Sequence, residues 1–387
     1  MKFSIQKTCS GINARLGMLS VKGKKLATPV LFHGTILNGK PEPWIYFKEK
    51  HPNTNIRGLM INAYEIISSQ RHKETIFSEG IHQFLNFNGI IFMDSGGFLI
   101  QKNQNFSINV DDVMEVYRKS SPDMIVSLDY PLSPTSSEEE NIKNWKKTLE
   151  NYEIMRKEFP NIMPVIHGYS KKQIKLACNA ISAYEPKFLG IGSLVPLMRS
   201  VKGTKDIINL NGFSREKDYS SKKYVVDAIK YVRDKFPDGF LHVFGIGSAS
   251  TMHLMFALGV DSIDSMGWRL KAAYGAVQIP YTADRFLSSL GGKRKNRPIF
   301  NDEEKRIFNN CKCGIHEDYN YEHIDAKFEP KAIHNAYVFL QENLKAINEI
   351  KNDKYYSFVE QRLKNTVYFN LFKYSLKKRY TQTTLIG

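Results

Sequence analysis

Short apolar runs rich in β-branched and aromatic residues alternate along this chain with longer stretches whose apolar positions recur at helical spacing. The runs are ATPVLFHGT (27–35), RGLMINAYEI (57–66), GIIFMDSG (89–96), MIVSLDYP (124–131), NIMPVIHG (161–168), FLGIGSLVP (188–196), FLHVFGIGS (240–248) and SIDSMGW (262–268). Continuous apolar runs of this kind suit parallel strands buried on both faces. The intervening DDVMEVYRKS, KKTLENYEIMRKEF and KKYVVDAIKYVRDKF place apolar residues three and four apart, as amphipathic helices do. Eight strand-then-helix units predict an α/β fold, a (β/α)8 TIM barrel over residues 27–285. Residues 1–26 read as a small β-hairpin closing the barrel floor, with SVKGKK at its turn. The polar stretch 199–222 is a long insertion that could serve as a lid. Residues 286–387 hold a basic loop, a Cys/His cluster and helical segments, and read as a C-terminal metal-binding helical subdomain.

A chain of 387 residues suits one large barrel, and 42% hydrophobic residues exclude global disorder. No apolar run approaches the roughly 20 residues that span a bilayer, so no membrane partner is expected. The start MKFSIQKTCSGINARL lacks the apolar core of a secretory signal, and four cysteines make no disulfide framework. Both point to a cytoplasmic protein, of a bacterial cell or a phage-infected host. The net charge of +16, from 55 Lys and Arg against 39 Asp and Glu, makes nucleic acid the leading partner. A solvated lysine-rich surface from a biased genome is the competing reading.

Barrel enzymes work at the C-terminal ends of their strands, where side chains stand on a rigid rim facing a common mouth. Those ends supply Asp94, Asp129, His167, Gly192 with Ser193, Gly245 with Gly247, and Asp264. Two aspartates at one mouth suit retaining glycosyl transfer, one carboxylate attacking the anomeric carbon and the other managing the leaving group's proton. The same pair could bind Mg²⁺, as in a metal-dependent barrel hydrolase, and Asp94 before Ser-Gly-Gly could simply cap a helix. Cys311 and Cys313, with histidines downstream, raise a metal site without settling one.

DSGGF (94–98), SLDYP (127–131), GIGSLVPLM (190–198) and HVFGIGSASTMHLMFALGVDSIDS (242–265) together resemble the tRNA-guanine transglycosylase superfamily, in the same order along the chain. The resemblance runs from about residue 12 to about 345 and leans toward the archaeosine branch, which inserts 7-cyano-7-deazaguanine. It implies that Asp264 is the nucleophile at C1′ and Asp94 the general acid/base. It also implies that Asp129 recognises the N1–H and exocyclic amine of a guanine-like base, that the backbone of Gly192, Ser193 and Leu194 meets the other base edge, and that Ser95 and Gly96 line the floor. Asp261 is read as structural. Two positions depart from the family: His167 replaces the usual Gln at its strand end and Leu99 follows SGGF, which bears on base selectivity. His167 is either a base contact or a satisfied wall residue.

By the same resemblance Cys311, Cys313, His316 and His334 form a four-ligand shell for one structural Zn²⁺, with His323 as a substitute for His316. Lys293, Arg294, Lys295 and Arg297 in GGKRKNRP, with the basic, aromatic run 354–380, suit phosphate contacts. That run could equally be an amphipathic helix packed on the barrel. The superfamily includes tRNA enzymes and a branch acting on DNA. Archaeosine-like motifs, the divergent VIHG and no recognisable RNA-binding module after the zinc site favour DNA, with tRNA as the alternative and a catalytically retired nucleic-acid-binding barrel as the reading from another class. Association of copies of the chain stays open.

Overall fold

The structure, a computed structural model, describes residues 1–51, 55–97, 108–199, 220–287 and 299–377. The N-terminal segment forms three antiparallel strands where a hairpin was expected: β1 (Lys2–Thr8), β2 (Arg15–Val21) and β3 (Lys24–Thr28). A two-residue turn joins β2 to β3, and both of its residues, Lys22 and Gly23, take positive φ (46° and 78°), the twist that tight hairpins require.

Eight parallel strands follow: β4 (Val30–Gly34), β5 (Gly58–Asn62), β6 (Ile90–Asp94), β7 (Met124–Ile125), β8 (Val165–Ile166), β9 (Phe188–Ile191), β10 (Phe240–Val243) and β11 (Ser262–Ser265). Their pairing follows chain order from β4 to β11, and β11 returns to β4 through Ser262↔Val30 to Ser265↔His33. The remaining seam, between β7 and β8, is joined by a parallel bridge from Val126 to Met163. The predicted TIM barrel is thus present, with all eight strands in the predicted runs.

Alternation decides what fills it. Val30, Phe32, Met60, Ile90, Phe92, Met124, Val126, Met163, Val165, Phe188 and Phe240 pack one interior cluster, closed below by Leu19, Val21 and Leu26 of the N-terminal sheet. Phe3 of β1 reaches Phe240 edge-on, ring centroids 5.3 Å apart. Beneath the barrel, Asp261 takes Arg15 on both oxygens (2.8 Å each), Arg233 (3.0 Å) and the Leu241 N–H (2.8 Å). These contacts occupy it fully, at the end away from the mouth.

The long helix Phe328–Lys351 lies on the outside of the barrel beside β4. There the Asn343 amide accepts from Leu31 N–H and donates to the Pro29 carbonyl. Among the described residues no helix is long and apolar enough to cross a membrane.

Candidate active site

Asp94 is the last residue of β6, and Asp264 the third of four in β11. Both occupy inward positions, two residues beyond Phe92 and Ser262 respectively. Asp264 is held by one oxygen. Gly245 N–H donates to Oδ1 at 2.6 Å and His242 Nε2 stands 3.3 Å from the same atom, while Oδ2 takes no hydrogen bond from the described residues. Gly245 has φ 71°, a conformation glycine adopts without penalty. A Cβ on Gly247 would stand 2.3 Å from the Asp264 carbonyl oxygen, so glycine lets this loop close over β11.

Asp129 lies four residues past the end of β7, where the chain has left the sheet and turns into the mouth. Ser95 donates its hydroxyl to Oδ1 (3.1 Å), and His167 Nε2 is 3.1 Å from Oδ2. Behind that ring, His167 Nδ1 meets Ser193 Oγ at 2.9 Å, and Ser193 Oγ accepts the Leu132 N–H at 2.9 Å. Ser193 takes φ 62°, a strained conformation of the kind that concentrates at functional sites. Gly192 beside it has no room for a side chain, because a Cβ would lie 2.5 Å from His167 Cε1. Each oxygen of Asp129 keeps a lone pair for a further donor.

Burial first, then the fields of Asp129 and Asp264, push the Asp94 carboxyl up to about 8, against the Gly96 and Ser95 N–H groups that pull it down. A carboxyl so tuned is neutral at pH 7 and can give a proton to a leaving base or take one from an incoming base. The linkage has a definite sign. The raised value stabilises the fold fully below the ordinary carboxyl value of about 4, and that contribution is lost as pH rises through 8. Asp94→Asn, uncharged throughout, should therefore melt a few degrees above the native protein at pH 9, about 1–3 kcal/mol, and show no such gain near pH 4. Thermal melts across pH check this, and equal melting at pH 9 contradicts the raised value.

Near the end of the described chain, Cys311, Cys313 and His334 bring their ligand atoms within 4.8 Å of one another, a cluster able to hold a metal ion. His334 Nε2 is 2.8 Å from the Gln278 carbonyl, which takes the ring proton and leaves the Nδ1 lone pair toward the sulfurs. Cys313 Sγ lies 3.4 Å from that nitrogen; its nearness draws the Cys311 value down, while burial drives the Cys313 value up. Both sulfurs and the imidazole nitrogen thus converge on one buried point, where a cation can take the place of thiol protons. The donor set fits Zn²⁺. His316 stands outside the three-residue cluster. Its Nε2 is buried with no hydrogen-bond partner among the described residues, and its ring packs on Phe308 (4.7 Å), as does that of His334 (4.8 Å). His323 is exposed and stacked on Tyr319 at 5.0 Å.

The mouth therefore gathers Asp94, Ser95, Gly96, Asp129, His167, Gly192, Ser193, Leu194 and Asp264. Ser95, His167 and Ser193 spend their side chains on one another and on Asp129, and Leu194 is fully buried. Leu99 and the basic positions Lys293, Arg294, Lys295 and Arg297 lie outside the described residues, as does most of the 199–222 insertion. Sequence reasoning missed His242 and Ser262. Their only signal is a two-residue period that places a histidine inward after Phe240.

A family model described as queuine tRNA-ribosyltransferase matches residues 9–367. The chain is similar to the tRNA-guanine(15) transglycosylase of Pyrococcus furiosus, at 26% identity over 359 residues that cover 90% of this chain and 54% of that protein. Similarity extends to the proteins of the same name from Pyrococcus abyssi (24% over 362 residues, 91% and 55%) and Methanococcus vannielii (24% over 364 residues, 91% and 50%). The chain spans about half the length of these curated relatives.

Proposed function

The chain belongs to the queuine tRNA-ribosyltransferase family, within the tRNA-guanine transglycosylase superfamily, and from that premise we propose that it is a pentosyltransferase exchanging guanine in tRNA for a 7-deazaguanine base. The observation that carries the reading is the division of labour among three carboxylates at one mouth. Asp94 is held neutral by its surroundings, Asp264 is tied by Oδ1 while Oδ2 takes no hydrogen bond from the described residues, and Asp129 accepts from Ser95 with His167 Nε2 3.1 Å away. A retired barrel has no use for that arrangement.

In the first half-reaction Asp264 Oδ2 bonds to C1′ as the C1′–N9 bond breaks, and the departing guanine takes its proton from Asp94. In the second, Asp94, now a carboxylate, accepts the N9 proton of the incoming base, whose nitrogen attacks C1′ and releases Asp264. Protons balance over the cycle. Asp129 accepts the N1–H and the exocyclic amine, a bidentate match that adenine lacks. Reaching the sugar requires the guanosine to be turned out of any helix it occupies. The incoming base, on the archaeosine-like motifs, is 7-cyano-7-deazaguanine.

The relatives are named for tRNA, and this favours tRNA over the DNA put first on sequence grounds. Either polymer would use the same three aspartates. A structural Zn²⁺ on Cys311, Cys313, His334 and His316 belongs to the same proposal, as do phosphate contacts from Lys293, Arg294, Lys295 and Arg297. The test is exchange of labelled guanine, and separately of 7-cyano-7-deazaguanine, into tRNA, single-stranded DNA and duplex DNA in parallel. Incorporation into tRNA alone is expected. Incorporation into DNA alone would restore the DNA reading, and none into any polymer would defeat the transglycosylase reading.

A further inference from the structure

We propose that His242, with Ser262 behind it, is a positioning residue that fixes which oxygen of Asp264 attacks the sugar: Oδ1 stays bound to the protein and Oδ2 is the nucleophile. This rests on the transglycosylase reading and goes one level deeper into the same site.

His242 sits on β10 one layer below the mouth, its ring fully buried. Phe244, Phe92 and Phe32 surround it, with centroids 4.3, 5.0 and 6.3 Å away. An apolar barrel layer has no need of an imidazole, and another phenylalanine would pack there at no polar cost. What the ring has instead is two polar neighbours, one on each nitrogen. Nδ1 is 2.8 Å from the hydroxyl of Ser262, its register partner on β11, and Nε2 is 3.3 Å from Asp264 Oδ1.

The tautomer follows. Burial lowers the proton affinity of the ring, against the opposing pull of Asp264, so a neutral imidazole with one N–H is the relevant form. If Ser262 donates its hydroxyl proton to Nδ1, the ring proton sits on Nε2, on the side of Asp264 Oδ1 3.3 Å away. The other tautomer would set the Nε2 lone pair against a carboxylate oxygen inside an apolar shell, a repulsive contact. Gly245 N–H donates to the same oxygen at 2.6 Å, while His242 Nε2, buried and without a hydrogen-bond partner among the described residues, has Oδ1 as its polar neighbour at 3.3 Å, so turning the carboxylate would break the first contact and strand the second nitrogen in an apolar layer.

The barrel repeats the device. Ser193 on His167 Nδ1 and His167 Nε2 facing Asp129 Oδ2, at 2.9 and 3.1 Å, reproduce the Ser–His–Asp order on a different strand pair. In both cases the aspartate faces the mouth, the fully buried histidine lies beneath it and a serine hydroxyl sets the ring. A side chain buried for packing alone would not recur with a serine hydroxyl on Nδ1 and an aspartate oxygen within 3.3 Å of an otherwise unpartnered Nε2.

The consequence is kinetic. As the Oδ2–C1′ bond forms, Oδ1 becomes the ester carbonyl, and as that bond breaks in the second half-reaction, charge returns to the carboxylate beside the Gly245 N–H and the His242 ring. His242 therefore acts on both chemical steps and on neither binding step. His242→Phe fills the ring's volume without a donor and should lower kcat by ~10–100-fold with KM within about twofold of native. His242→Gln, which keeps an N–H, should recover most of that loss. If the Phe variant does not fold, Ser262→Ala removes only the hydroxyl behind the ring and should lower kcat by ~3–10-fold, again at constant KM. Crystal structures of the variants supply a readout independent of turnover, and the Asp264 carboxylate should adopt more than one orientation in them. A native kcat in His242→Phe, or a Gln variant no better than Phe, overturns the proposal. If the native protein exchanges no base at all, the functional reading fails separately, and a single unchanged Asp264 orientation in the variants then overturns the positioning role.

Discussion

Asp264→Ala should yield a folded protein with base exchange reduced by at least ~10⁴-fold and no covalent protein–nucleic acid adduct. In the proposed scheme the loss is this large because the residue supplies the bond that carries the sugar between the two half-reactions, and no other carboxylate among the described residues is placed to replace it. Asp261, three residues away, has its carboxylate committed to Arg15, Arg233 and the Leu241 N–H. In the proposed scheme Asp94 and Asp129 are committed to proton transfer and base recognition. Denaturing gels of enzyme mixed with substrate, in the absence of any free base able to attack C1′, report the adduct directly. The Asp94→Asn variant is the informative contrast, since it keeps the nucleophile and loses the proton carrier, so slow adduct formation is compatible with the scheme there. An Asp264→Ala enzyme that exchanges guanine at the native rate would end it.

The barrel was legible because its strands are buried on both faces, and burial on both faces writes itself into the chain as unbroken apolar runs. Where a run also had to serve the mouth, its length misleads. MIVSLDYP yields a strand of only two residues plus the Val126 bridge, because Leu128 to Pro131 leave the sheet to bring Asp129 to the opening. β1 went unseen for the opposite reason. KFSIQKT is exposed along almost its whole length, so no buried face imposes a period on it, and only Phe3 reaches the core. The carboxylates stood out as polar residues closing apolar runs, and the motif resemblance gave each a role. His242 had no such mark. Whether a histidine inside FLHV faces the barrel axis or the helices outside depends on strand register, which the structure gives through Phe240↔Phe188 and His242↔Ser262. The work of Ser193 was hidden similarly, since its hydroxyl acts on a histidine 26 residues away.

Loss of the Cys/His cluster should be the largest single blow to the fold. Structural Zn²⁺ sites carry apparent binding energies of about 10–16 kcal/mol, and where the site forms only in the folded state that energy is folding energy. The cluster joins the turn 311–313 to the helix Phe328–Lys351, and His334 couples that helix to the Gln278 carbonyl. One residue on, Asn335 accepts the Gln278 N–H and donates to the carbonyls of Trp268 and Ala276, so the same helix braces the segment that follows Asp264. Elemental analysis should find about one zinc per chain. Cys311→Ser combined with Cys313→Ser should retain almost none, melt at least ~10 °C lower and lose exchange activity through the loosened wall beside Asp264. His316→Ala separates the fourth ligand from the other three: zinc affinity should fall by ~10–100-fold while the metal is still bound at saturation. Stoichiometric zinc in the double serine variant would remove the metal from this cluster, and an unchanged affinity in His316→Ala would assign the fourth position to another group.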